Sequence, residues 1–181
     1  MGMHFYPQYI QAILSIFCST MHTIVFIMGV SGVGKTTIGK LLAEALALPF
    51  IDADDYHSAN NKIKMQQGIA LTDEDRLPWL QSLNGIAKTE AQIAGAVIAC
   101  SALKEHYRTI LSEGLHKPIW IYLHAQPEII KKRVSARKEH FMPASLLPSQ
   151  FAALEEPKTA ICIDSNLSPE AILAEILKHL K

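Results

Sequence analysis

The sequence predicts an α/β fold in three layers, with a central parallel β-sheet covered on both faces by helices. Three observations carry that expectation. Short apolar runs along the chain are continuous rather than alternating, the pattern of strands buried on both sides. Segments able to hold helices separate these runs, so consecutive strands are joined by right-handed crossovers. The length, 181 residues, suits one domain that fills its core without disulfides or structural metal.

Thr23 to Met28 (TIVFIM) is apolar, β-branched and closed by Gly29, and is the first expected strand. Lys35 to Leu46 follows with Ile38, Leu41, Leu42, Ala45 and Leu46 at helical spacing. Further strands are expected at Phe50–Ile51, Ala96–Ala99, Ile119–Leu123 and Ala160–Ile163. Helices are expected around Leu77–Ile93, Lys104–Leu111, Glu128–Lys138, Leu146–Leu154 and Pro169–Leu180. No repeat, low-complexity tract or Pro/Gly/Ser-rich linker divides the chain. Residues 21–181 are therefore expected to form the working domain, with residues 1–20 as a dispensable extension. Within that extension Tyr9 to Cys18 is apolar but too short to span a bilayer, and no basic segment precedes it.

Seventeen Lys and Arg balance seventeen Asp and Glu. That neutrality removes the global field that would hold nucleic acid or an anionic membrane, so neither partner is expected. Cys18, Cys100 and Cys162 show no C-x-x-C pair, and the eight histidines show no H-E-x-x-H spacing. A reducing cytoplasm is the expected compartment, with Cys100 and Cys162 packed as small hydrophobes.

Gly29-Val30-Ser31-Gly32-Val33-Gly34-Lys35-Thr36 matches G-x-x-x-x-G-K-[ST] between an expected strand and an expected helix. Glycines let backbone N–H groups turn toward phosphate oxygens, and the helix N-terminus adds its dipole. Lys35 is placed to reach β and γ phosphates, and the Thr36 hydroxyl to ligate Mg²⁺. The candidate nucleotide-binding set is Gly29, Ser31, Gly32, Val33, Gly34, Lys35, Thr36 and Thr37.

Asp52 and Asp54 close the second expected strand at an i, i+2 spacing that points both to one side. Strand carboxyl ends border the ligand crevice in such sheets. One carboxylate suits Mg²⁺, the other the proton of an attacking hydroxyl; capping the following turn is the structural alternative. A guanine-reading N-K-x-D is absent, since Asn61-Lys62-Ile63-Lys64 lacks the Asp and lies too early.

Asp52-Ala53-Asp54-Asp55-Tyr56-His57, then Asn61, Lys64-Met65, Gly68, Leu71 and Asp73-Glu74-Asp75-Arg76-Leu77-Pro78-Trp79-Leu80, closely resemble the gluconokinase family, related to shikimate kinase. Cys100-Ser101-Ala102-Leu103-Lys104 with Tyr107-Arg108, Arg137-Lys138 with His140-Phe141, and Ser149-Gln150-Phe151 with Leu154-Glu155 and Pro157 continue the resemblance across residues 23–180. Ala53 stands for the usual Gly, Ala70 for a common Pro, and the extension has no counterpart. The resemblance implies a P-loop kinase fold with a small mobile lid, and ATP- and Mg²⁺-dependent phosphorylation of D-gluconate to 6-phospho-D-gluconate. It also implies a possible homodimer.

A sugar acid needs a cationic clamp and hydrogen-bonding groups beside the γ-phosphate. The resemblance places His57 to Arg76 on that side, with His57, Lys64 and Arg76 as substrate candidates and Asp54 facing the reacting hydroxyl. Asp52 is left with Thr36 for the metal. Arg76 has a structural alternative, an ion pair with Asp73 or Asp75, and Trp79 after Pro78 suits a packing anchor at a helix start. Ser101 and Lys104 follow the third strand at the same crevice edge. Arg133 and Arg137 lie four apart on an expected helix and share a face. As lid arginines they would reach ATP, with Arg137 catalytic beside Lys35 and Asp54; a solvated basic face is the alternative.

Overall fold

The computed structural model describes residues 23–136 and 143–180. Five strands, β1 (Ile24–Met28), β2 (Phe50–Asp52), β3 (Ala96–Ala99), β4 (Ile119–His124) and β5 (Ile161–Asp164), form one parallel sheet in the order β2-β3-β1-β4-β5. Seven α-helices accompany them among the described residues: α1 (Lys35–Leu46), α2 (Ala59–Gln66), α3 (Asp73–Ile93), α4 (Glu105–Ser112), α5 (Pro127–Ser135), α6 (Leu147–Ala153) and α7 (Pro169–His179).

Strand periodicity explains the three layers. In β1, Val25 and Ile27 face one way, into a core with Ile38 and Leu42 of α1, Ile130 of α5 and Ile172 and Ile176 of α7. Ile24, Phe26 and Met28 face the other way, into a core with Leu80 and Leu83 of α3 and Tyr107 and Leu111 of α4. All five β1 residues are buried, so a continuous apolar run is what the position demands. Each such side chain contributes roughly 1.5–3 kcal/mol relative to exposure. Phe26 stacks on Trp120 of β4 with ring centroids 4.3 Å apart. Gly39 lets α1 approach β2, because a Cβ there would lie 2.4 Å from the Phe50 ring.

Three local readings are corrected. Helix α3 begins at Asp73, ahead of the expected Leu77, because Thr72 and Asp75 form a reciprocal capping box and Pro78 is carried inside the helix. Helix α2 was not signalled; ANNKIKMQ is polar and buries only Asn61 and Met65, one turn apart. Cys162 is exposed, since β5 is an edge strand whose alternate residues face outward. Cys100 is buried as expected, and burial pushes its thiol up to about 12.

The topology puts β1 between β3 and β4: the chain leaves β1 toward β2 in one half of the sheet, and the later crossover from β3 passes to β4 in the other. A crevice forms at the carboxyl end of such a switch point. Gly29 follows β1 and Ser101 follows β3 at that end, joined by the Gly29 N–H donating to Ser101 O at 3.3 Å.

Candidate active site

The phosphate cradle is built by backbone that only glycine adopts without strain. Gly29, Gly32 and Gly34 have φ of 136°, 83° and 107°. Two of them are also sterically required, since a Cβ on Gly29 would meet Leu123 O at 2.4 Å and one on Gly32 would meet Val134 Cγ2 at 2.4 Å. Lys35 Nζ lies over the loop, donating to Gly29 O at 2.9 Å and Val30 O at 3.1 Å. Thr36 and Thr37 are exposed at the start of α1.

Asp52 ends β2, but Asp54 lies in the following 3-10 turn, Ala53–Tyr56. The strand argument for a shared side is therefore replaced by a turn: Asp52 Oδ1 accepts from the Asp54 N–H at 3.2 Å. The same carboxylate accepts from the Thr36 hydroxyl at 2.8 Å through Oδ2. Asp52 thus caps the turn and meets the cradle at once. Two hard oxygen donors, a hydroxyl and a carboxylate, fit Mg²⁺, which is held by few protein groups alongside substrate phosphates. Among the described residues no cluster of three or more His, Cys, Asp or Glu forms a fuller metal cage.

Asp54, His57, Arg76, Trp79, Ser101, Tyr107 and Gln150 line a crevice directly beside this cradle. Desolvation by the crevice walls holds the Asp54 carboxyl above its ordinary value; Lys35 opposes the shift, and Asp52 and Asp55 reinforce it. The His57 ring is buried and stacks on Trp79 with centroids 4.1 Å apart. Its Nε2 is 3.9 Å from Asp54 Oδ1, and its Nδ1 is buried with no hydrogen-bond partner among the described residues. Burial, then the nearby charges of Arg76 and Lys62, push His57 down to about 4, so the ring is neutral at physiological pH. Trp79 is the expected packing anchor: buried, with Nε1 donating to Ala53 O at 2.8 Å, it fixes the turn that carries Asp54.

The cationic candidates separate in a way spacing does not show. Lys64 on α2 is taken by Asp75, with Nζ at 2.7 and 2.9 Å from the two carboxylate oxygens. Lys104 is taken by Asp73, at 2.7 and 2.8 Å, and the Tyr107 hydroxyl donates to that same carboxylate. These hydrogen bonds hold Asp75 and Asp73 below the usual carboxylate range. The ion pair considered for Arg76 is thereby pre-empted. Its guanidinium instead donates to the Leu71 and Thr72 carbonyls and lies over the Tyr107 ring, 5.7 Å from the centroid.

Arg133 donates to Ser165 Oγ at 3.1 Å and Ser165 O at 2.8 Å, which ties α5 to the exit of β5. Arg137 and His140, which the resemblance to the family assigns to an expected lid, lie outside the described residues. Two residues given no role by sequence reasoning complete the architecture. Asn61 is buried and donates to Asp75 O at 2.8 Å, pinning α2 to α3. Gln150 is buried and accepts from the Ser31 N–H at 2.7 Å. Both stand in the recognisable blocks, which was the one available signal.

A phosphate cradle after the first strand of a parallel sheet, facing a carboxylate-bearing acceptor crevice, defines a P-loop small-molecule kinase. The shikimate kinase family model matches residues 31–181. A gluconokinase of Arabidopsis thaliana is 44% identical over 171 residues, covering 86% of this chain and 90% of that protein. The thermosensitive gluconokinase of Escherichia coli K12 is 48% identical over 137 residues, covering 73% and 71%. Among solved structures, a gluconokinase from Sinorhizobium meliloti 1021 superposes with a TM-score of 0.80 at 36% identity, covering 88% of this chain and 92% of that one. The chain belongs to the gluconokinase family, a phosphotransferase family whose acceptor is an alcohol.

Proposed function

We propose that this enzyme transfers the γ-phosphoryl group of ATP to the 6-hydroxyl of D-gluconate, giving 6-phospho-D-gluconate and ADP. The observation that carries the reading is the placement of Asp54 where the cradle meets a crevice that also presents His57, Ser101 and Arg76. Asp54, with its basicity raised by desolvation, accepts the proton of the reacting hydroxyl. Lys35 stays within reach of the β and γ phosphates and offsets the charge that develops there. Mg²⁺, held by Thr36 and by Asp52 directly or through water, would supply charge neutralisation of the phosphates. Neutral His57 and Ser101 bond substrate hydroxyls without adding charge. Arg76 holds the carboxylate by exchanging its carbonyl partners for a stronger charged one.

Lys64 and Lys104 enter this reading differently. Each keeps a carboxylate of α3 neutralised, so the crevice does not repel an anionic acceptor. A homodimer and a cytoplasmic location accompany the proposal; among the described residues no helix is long and apolar enough to cross a membrane.

The test is ADP release from ATP against gluconate, other sugar acids, shikimate and nucleoside monophosphates. Gluconate is expected to be the best acceptor. Turnover of another panel member with gluconate inert would overturn the assignment.

A further inference from the structure

Ser31 is the third residue of the cradle, and its N–H donates to Gln150 Oε1 at 2.7 Å. Gln150 belongs to α6, which is 119 residues away in sequence from Ser31. It also lines the acceptor crevice with Asp54, His57 and Ser101. Its carboxamide therefore stands at the seam between the phosphate side and the acceptor side. Any phosphoryl group passing from the cradle to a hydroxyl beside Asp54 crosses that seam.

We propose that Gln150 is a γ-phosphoryl-binding residue, an inference that rests on the kinase reading above. In the nucleotide-free protein its carboxamide oxygen satisfies the Ser31 N–H, a part-buried donor at the floor of the cradle. A γ-phosphoryl oxygen takes over that N–H when the triphosphate binds. The carboxamide then turns about its terminal bond and presents Nε2–H to the same phosphoryl group. An amide can fill both roles because it carries an acceptor at one end and a donor at the other. A carboxylate accepts only, and methionine offers neither function at full strength. Gln150 also supplies specificity by state: it meets triphosphate and has nothing to meet on a diphosphate.

The experiment is calorimetric titration of the full chain, with Mg²⁺, using ADP and the imido-bridged ATP analogue. Gln150→Glu is expected to melt near the wild type when nucleotide-free, since a carboxylate also accepts from Ser31 N–H. Its Kd for ADP should stay within about threefold, while the analogue weakens by more than about tenfold through charge repulsion. Gln150→Met, which keeps length and burial, should show the same selectivity with a smaller loss. Parallel weakening of both nucleotides in the two variants, or unchanged binding of the analogue, overturns the inference. A wild-type chain that binds neither nucleotide overturns the kinase reading itself, and the two failures are distinct.

Discussion

The Thr36 hydroxyl donates to Asp52 Oδ2 at 2.8 Å, while the other oxygen of that carboxylate accepts the Asp54 N–H at 3.2 Å. One side chain thus couples the first residues of α1 to the turn that holds the second aspartate. Asp52→Asn is expected to raise the Mg²⁺ concentration for half-maximal rate by about tenfold or more, because a neutral amide holds a hydrated cation less well. Mg²⁺ titration of initial rates checks this. An unchanged Mg²⁺ dependence would leave Asp52 with its capping role alone.

Asp54→Asn keeps the shape and removes the basicity. The kcat should fall by about 10² to 10⁴, with gluconate affinity changing less and excess Mg²⁺ giving no rescue. Single-turnover rates at several Mg²⁺ concentrations separate the two aspartates. Rescue of Asp54→Asn by Mg²⁺ with none for Asp52→Asn would exchange their roles. In the wild type, the rate should decline on acidification through the raised Asp54 pKa, and that limb should vanish in the variant.

Lys35→Ala should lower kcat by about 10² or more, since a preorganised charge at the phosphates is lost. The melting temperature should move by no more than about 4 °C, because the core contacts of α1 are made by Ile38, Leu42 and Leu46. Retention of near wild-type kcat would remove the cradle lysine from the mechanism.

His57 makes stability depend on pH. Its folded value of about 4 lies below the ordinary 6.5, so below pH 6.5 the unfolded chain binds a proton that the folded chain resists. Stability from this group is present above pH 6.5 and is lost as pH falls from there toward 4. Between pH 7 and 5 the loss is roughly 2 kcal/mol, or about 4–8 °C in melting temperature. His57→Phe preserves a ring on Trp79 and abolishes the titration, so thermal melts at the two pH values should differ by less than in the wild type. An equal difference would assign the acid sensitivity to other groups.

Apart from α2, the order of elements was legible in the amino-acid sequence, as were the parallel sheet and the phosphate-cradle motif, because each is a local pattern. A β-branched run such as Ile24–Met28 has one environment that suits it, and a glycine set ending in Lys35-Thr36 has few uses outside phosphate binding. The α1 boundaries were read to the residue, since its apolar stripe is regular and Ala47 closes it in the left-handed region at φ 53°. Polar pairing was not legible. Lys64, Arg76 and Lys104 were alike as cations beside the expected crevice, yet Asp75 holds Lys64 across 11 residues and Asp73 holds Lys104 across 31. Arg133 finds Ser165 across 32. Ser31 finds Gln150 only because the strand order β2-β3-β1-β4-β5 and the packing of α6 bring them together. Hydrophobic patterning acts through surface area and survives in one dimension; a hydrogen bond needs two atoms within about 3 Å and a set angle, which only the folded chain can arrange.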